Sequence, residues 1–327
     1  MEHPYPKMEE FADPVSTPTT GPEVYIIRQL LNPLRVTRTL IQLGYEPLPP
    51  KSCISPFHFF TWNATTLNCY PNVFVYTRHL FRTCGFWNVA TCGFASHFIF
   101  NILGEACHFM IHQYVVEQTL CNRGWLQDED IAGKSDSMLV ECMMEEAPFS
   151  QFTLHLLKLC FLKTYEVFLT QPFYVIMVRQ AASLIGGEAR YSWLFQAVCS
   201  IYKDSGLLGF FSGLTPRLIF EVARLALYLS LCRVLRRRVL GLFPRSSLLR
   251  PLRSVMDIFI NIFFYRLDVV SCVMAVHGSR LALAAEANSF TGWRDCKRVF
   301  ASSGQLSRGF WPFWRMHVQN EHLPAAV

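Results

Sequence analysis

Charge is what this sequence has least of. Only 17% of its 327 residues are Asp, Glu, Lys or Arg, where a soluble domain carries about 25%. Hydrophobic residues make up 51% and mean hydropathy is +0.23, so the chain reads as a membrane protein. The formal net charge of +6 is too thin for the dense basic face of a nucleic-acid binder, and no nucleic-acid partner is expected. Twelve cysteines form no CxxC pair and keep no regular spacing, which argues against a disulfide framework or a zinc module; reduced, mostly buried thiols are expected. There is no P-loop, GxGxxG, HExxH or nucleophile elbow, so neither enzyme chemistry nor a cofactor is expected. Residues 1–21 hold Glu2, Glu9, Glu10, Asp13 and four prolines. They have no apolar core and no Arg-rich pattern, and they read as a disordered tail without a cleavable targeting segment.

What is present is a succession of apolar helical segments, each with one polar stripe. In Glu23 to Leu43, Arg28, Asn32, Arg35, Thr39 and Gln42 fall within an arc of roughly 80°, and Pro33 is expected to kink the helix. Residues 44–92 are the least readable part, with a short amphipathic helix at Val73 to Thr83. In Gly93 to Gln118 the stripe is His97, Asn101, Glu105, His108 and His112, again within roughly 80°. His108 and His112 have metal-ligand spacing. No third ligand stands with them, and a stripe facing water is the simpler account. An acidic loop follows over residues 121–150, then Phe152 to Ile185, which breaks or kinks at Pro172 and aligns His155, Lys163, Glu166, Thr170 and Tyr174 within about 100°. Thr215 to Leu240 places Arg217, Glu221, Arg224 and Tyr228 on one face and ends in a basic collar. Ser254 to Ala285 aligns Asp257, Asn261, Tyr265 and Asp268. Ser192 to Ser205 and Asn288 to Ser303 are short interfacial helices. Only 18 residues follow Gly309, short of the about 20 a span needs, so no sixth helix is expected.

Tyr202 to Leu218, YKDSGLLGFFSGLTPRL, is the most telling stretch. Asp204 and Gly206 precede an aromatic pair and Gly213, and Pro216 stands where a new helix begins. With IQLGYEPLPP (41–50), QPFYVIMVRQ (171–180) and TGWRDC (291–296), it resembles the mitochondrial carrier homologues, a degenerate outer-membrane branch of the carrier superfamily. The resemblance is specific over about residues 22–50 and 150–310. It implies an all-α, three-repeat bundle: 22–120 the first repeat, 151–243 the second, 244–310 a truncated third, and 311–327 a tail. The motif remnants are Pro33, Arg38, Pro172, Gly206, Gly213, Pro216, Asp268 and Gly309. Carriers close one end with a ring of ion pairs built on Pro, any residue, acid, two residues, base. Here the acid places read Arg35, Tyr174 and Asp268, and the base places Arg38, Met177 and Ser271. Only Arg38 and Asp268 keep their sign, so the full ring cannot form.

Without that gate and a sixth wall, the expectation is a polar groove open to lipid. It would be lined by Arg28, Arg35, His97, Asn101, Glu105, His108, His112, Lys163, Glu166, Arg217, Glu221, Arg224, Tyr228, Asp257, Asn261 and Asp268. Ionisable residues at membrane depth are costly and face wet cavities; the plainer alternative is that they are relics of a carrier cavity. The resemblance implies a multi-pass protein of the mitochondrial outer membrane that inserts α-helical, including tail-anchored, proteins. It also implies links to BH3-type apoptotic proteins and to membrane lipids. A degenerate solute carrier and a pure receptor or scaffold are the alternatives.

Overall fold

A computed structural model describes residues 27, 29–54, 66–123, 149–239, 249–311 and 315–316. Arg28, the N-terminal tail and the acidic loop at 124–148 lie outside the described residues. The fold is dominated by helices: α1 (Asn32–Gln42), α2 (Val73–Thr83), α3 (Phe86–Thr91), α4 (Phe94–Arg123), α5 (Phe149–Gly186), α6 (Leu194–Ser205), α7 (Leu214–Val239), α8 (Leu249–Ala275), α9 (Ala285–Asn288) and α10 (Trp293–Ser302). α4 packs along α5, α5 along α7, and α7 along α8, while α1 touches α5 and α8. The helical expectation holds, with one addition. Lys51–Ile54 (β1), Thr66–Tyr70 (β2) and Arg315–Met316 (β3) form an antiparallel sheet in the order β1-β2-β3, with Cys69 opposite Met316.

Local chemistry sets the helix ends. The Asn72 side chain accepts from the Val75 amide and starts α2, an N-cap of ordinary kind. A turn at Leu31 precedes α1, and Pro33 occupies the first turn after it rather than the middle of a helix, where a missing N–H costs nothing. Pro172, by contrast, lies inside the continuous 38-residue α5, roughly 57 Å long at 1.5 Å per residue. α8 stops ten residues before the expected end at Ala285. Val276–Ser279 form turns and Gly278 adopts φ 74°, a left-handed state that glycine tolerates. The expected start of α10 at Asn288 also moves, to Trp293, because Asp295 accepts from the Thr291 amide and hydroxyl.

The core sits at one end. Val175, Val269, Val273, Ala197, Ile201 and Phe300, from the second halves of α5 and α8 and from surface helices α6 and α10, form its centre. Toward their first halves the same long helices expose apolar side chains, including Leu157 and Phe161 on α5 and Phe259 and Phe263 on α8. Large exposed apolar surface of this kind marks a membrane or partner contact. Among the described residues, Ser254–Ala275 in α8 is the one helix long and apolar enough to cross a membrane by composition, with hydropathy 1.7. The other long helices carry the charged stripes described next.

A candidate groove and a threefold clasp

Each repeat makes the same hydrogen bond. Asn32 stands immediately before Pro33, Gln171 before Pro172, and Tyr265 before Arg266, the matching place in the third repeat. Asn32 Nδ2 donates to the Cys92 carbonyl at 3.0 Å, Gln171 Nε2 to the Ser212 carbonyl at 2.8 Å, and the Tyr265 hydroxyl to the Arg308 carbonyl at 2.7 Å. Every acceptor precedes a glycine of positive φ: Gly93 at 64°, Gly213 at 72° and Gly309 at 69°. Each glycine lets its corner approach the next repeat. A Cβ on Gly213 would lie 2.5 Å from the Ser271 carbonyl, one on Gly309 3.1 Å from Ile41, and one on Gly93 3.2 Å from Arg35 and 3.9 Å from the Met177 backbone. The polar residue before each motif place holds its own repeat's corner, and the glycine docks that corner on the following helix. Gly206 ends α6 and Pro216 lies in the first turn of α7.

At this closed end one ion pair of the carrier ring persists. Arg38 lies 4.0 Å from Asp268, and Gln42 donates to both Asp268 and the Tyr265 hydroxyl at 3.1 Å. The two positions that keep their sign in the sequence are the two that meet. Arg35, at an acid place of the motif, cannot join them. It binds Asn32 Oδ1 and leans on the Cys92 carbonyl, so its expected groove-facing position is corrected: it braces the Gly93 corner.

Further along the bundle, charged side chains from three helices form a row. Lys163 donates to Glu166 at 2.8 Å within α5 and lies 3.9 Å from Glu221 on α7. Glu221 lies 3.6 Å from Arg224, which lies 3.9 Å from Asp257 on α8 and donates to Asn261 at 3.2 Å. Asn261 donates in turn to Asp257. Three carboxylates thus stand with two cations. Exposure rises along the row, from 15–20% at Lys163, Glu166 and Glu221 to 34% at Arg224 and 47% at Asp257, so it opens on the α8 side. A cavity of about 660 Å³ adjoins it through Asn261 and is lined also by Arg38, Tyr265 and Asp268.

Two further groove assignments are corrected. Arg217 is buried at 8%, donates to Gln171 at 2.8 Å and Thr170 at 3.1 Å, and sits over the Tyr174 ring; it locks α7 to α5. Tyr228 packs against the apolar cluster of Phe152, Leu159 and Leu229. On α4, Asn101 and His97 contact each other at 3.3 Å, His97 reaches Gln29, and Glu105 is half-buried. His108 and His112 lie on α4, but their side chains fall outside the described residues, as does Arg28. The sequence reading missed Asn32, Gln171, Tyr265 and Gly93 as a repeated set. Aligning the three repeats on the residue before Pro33, Pro172 and Arg266 would have found them.

The mitochondrial carrier protein family matches residues 151–242, the stretch the sequence reading assigns to the second repeat. Mitochondrial carrier homolog 2 from Homo sapiens and from Pongo abelii are each 29% identical over 311 residues, covering 93% of this chain and 94% of the relative. Mitochondrial carrier homolog 1 from Mus musculus is 23% identical over 313 residues, covering 86% of this chain and 72% of that protein. Those matches agree with the motifs and with a bond made once in every repeat: over nearly its whole length the chain is similar to the mitochondrial carrier homologues.

Proposed function

We propose that the chain is an insertase or docking factor of the mitochondrial outer membrane, admitting α-helical and tail-anchored proteins through a polar groove open to lipid. The row from Lys163 to Asn261 carries this reading. It presents charge between three helices whose outer faces are apolar, and its exposure rises toward one side. Fixed charge and water there lower the cost of moving a polar loop or helix end past hydrocarbon. Support for a bundle without a sixth span comes from β3. Arg315 and Met316 already pair with β2 six residues beyond Gly309, where a third even-numbered helix would be in its second turn.

The test is reconstitution into liposomes with a tail-anchored client. Each ion pair of the row contributes about 0–1 kcal/mol when hydrated, so Glu221→Leu with Asp257→Leu should leave the protein folded and membrane-bound. Client insertion should slow by about tenfold, the factor that corresponds to 1.4 kcal/mol on a barrier. Normal insertion by the double variant would make the row a structural relic. Docking of BH3-type proteins belongs to the same reading and is measured by co-sedimentation with the same liposomes.

A further inference from the structure

The 660 Å³ cavity has the size of a small-molecule site and a lining that the insertion of proteins does not explain. One cation and one anion face it, Arg38 and Asp268, beside four aromatic rings, Phe74, Phe220, Tyr265 and Phe310. The two charges are not used up by each other. Their separation of 4.0 Å is beyond hydrogen-bond reach, and the Arg38 side chain is 53% exposed. Gln42 and Arg38 both approach Asp268 through Oδ2, leaving Oδ1 available. Phe74 lies in the first turn of surface helix α2, and Phe310 follows the corner that leaves surface helix α10. The cavity therefore lies at the level of the surface helices.

We infer that this cavity binds a phosphocholine group. The phosphate meets Arg38, whose planar guanidinium suits oxyanions. The quaternary ammonium sits toward Asp268 and the rings of Phe74 and Phe310, because aromatic rings attract cations that have no hydrogen bonds to satisfy; Phe220 already carries the Arg224 guanidinium. A primary ammonium needs three acceptors, and among the described residues Asp268 and Asn261 are the only side chains in the lining that offer a carboxylate or amide oxygen. The group can come from a phosphatidylcholine headgroup or from soluble phosphocholine.

Native mass spectrometry of the full chain, released from vesicles of phosphatidylcholine, phosphatidylethanolamine and phosphatidylglycerol with matched acyl chains, tests the inference. Phosphatidylcholine should be retained about tenfold over either competitor. Displacement by millimolar phosphocholine identifies the soluble form as sufficient, and retention against it identifies the lipid. Asp268→Asn should abolish the preference over phosphatidylglycerol. Phe74 is 54% exposed, so Phe74→Ala keeps the fold and should erase the preference over phosphatidylethanolamine. Equal retention of the three lipids by the unaltered protein, or an undiminished preference in Phe74→Ala, overturns the assignment.

Discussion

Three arginines show how far a long side chain can depart from the face its position predicts. Arg35, Arg217 and Arg179 all bind backbone or amide groups of a neighbouring segment. Arg179 is fully buried and donates to the Ala275 and His277 carbonyls at 3.0 and 3.1 Å, capping the end of α8, where the helix dipole favours a cation. Helical periodicity gives the direction of Cα–Cβ, but an arginine head lies several bonds beyond it. That is why the stripe on α7 was legible while the destination of Arg217 was not. Charged hydrogen bonds contribute about 1.5–3 kcal/mol each, so Arg179→Met should destabilise the purified protein by about 2 kcal/mol or more in chemical denaturation; an unchanged midpoint would refute the capping role. Cysteine chemistry separates in the same way. Cys296 on α10 is wholly buried, and burial pushes its thiol up to about 12, leaving roughly one thiolate in ten thousand at pH 8. Cys199 is exposed. Brief maleimide labelling of folded protein, read by peptide mass, should modify Cys199 and spare Cys296 until denaturant is added.

Among the elements, α2 appears with the bounds its sequence predicts, whereas the sheet was not foreseen. Its strands are four, five and two residues long, too short for periodicity to register, and β3 pairs with a segment some 250 residues earlier. Arg315 holds that pairing. It donates to the Pro71 carbonyl at 3.0 Å, pairs with Glu46, and stands over the rings of Tyr70 and Tyr76. Burial lowers its pKa to about 10, so it stays charged at neutral pH and the pair with Glu46 is retained there. Removing that cation leaves a half-buried carboxylate short of its partner. Arg315→Ala should therefore free β3 and raise amide exchange at Cys69 and Tyr70 at least tenfold, with the amides of α10 unaffected; unchanged exchange would show that β2 does not depend on β3.

Across the whole molecule, closure is achieved by corners and not by a ring of charges. The bonds from Asn32, Gln171 and Tyr265 repeat in all three units, while the ion-pair ring is reduced to Arg38 and Asp268. A single loose pair cannot seal a gate in turn with a second one, as alternating access requires. Proteoliposomes should accordingly show no saturable counter-exchange of small anions or nucleotides, and uptake that saturates and trans-stimulates would restore the solute-carrier alternative. The corners themselves should be intolerant. Gly213→Ala combines a positive φ with a Cβ 2.5 Å from the Ser271 carbonyl, so folded yield should fall sharply, by more than the few tenths of a kcal/mol expected of an exposed Gly→Ala change.

By itself the sequence determined the helical class and the two ring residues that still pair, because each rests on local spacing: 3.6-residue periodicity, and a sign kept or lost at a motif place. Tertiary structure alone decided which stripe residues share a row. It sent Arg217 into α5, Tyr228 into an apolar cluster and Arg35 onto the Gly93 corner, and it brought Glu221, Arg224 and Asp257 together. Those outcomes depend on side-chain reach and on which helix lies alongside, and contacts between residues far apart in the chain leave no trace in the spacing of either one.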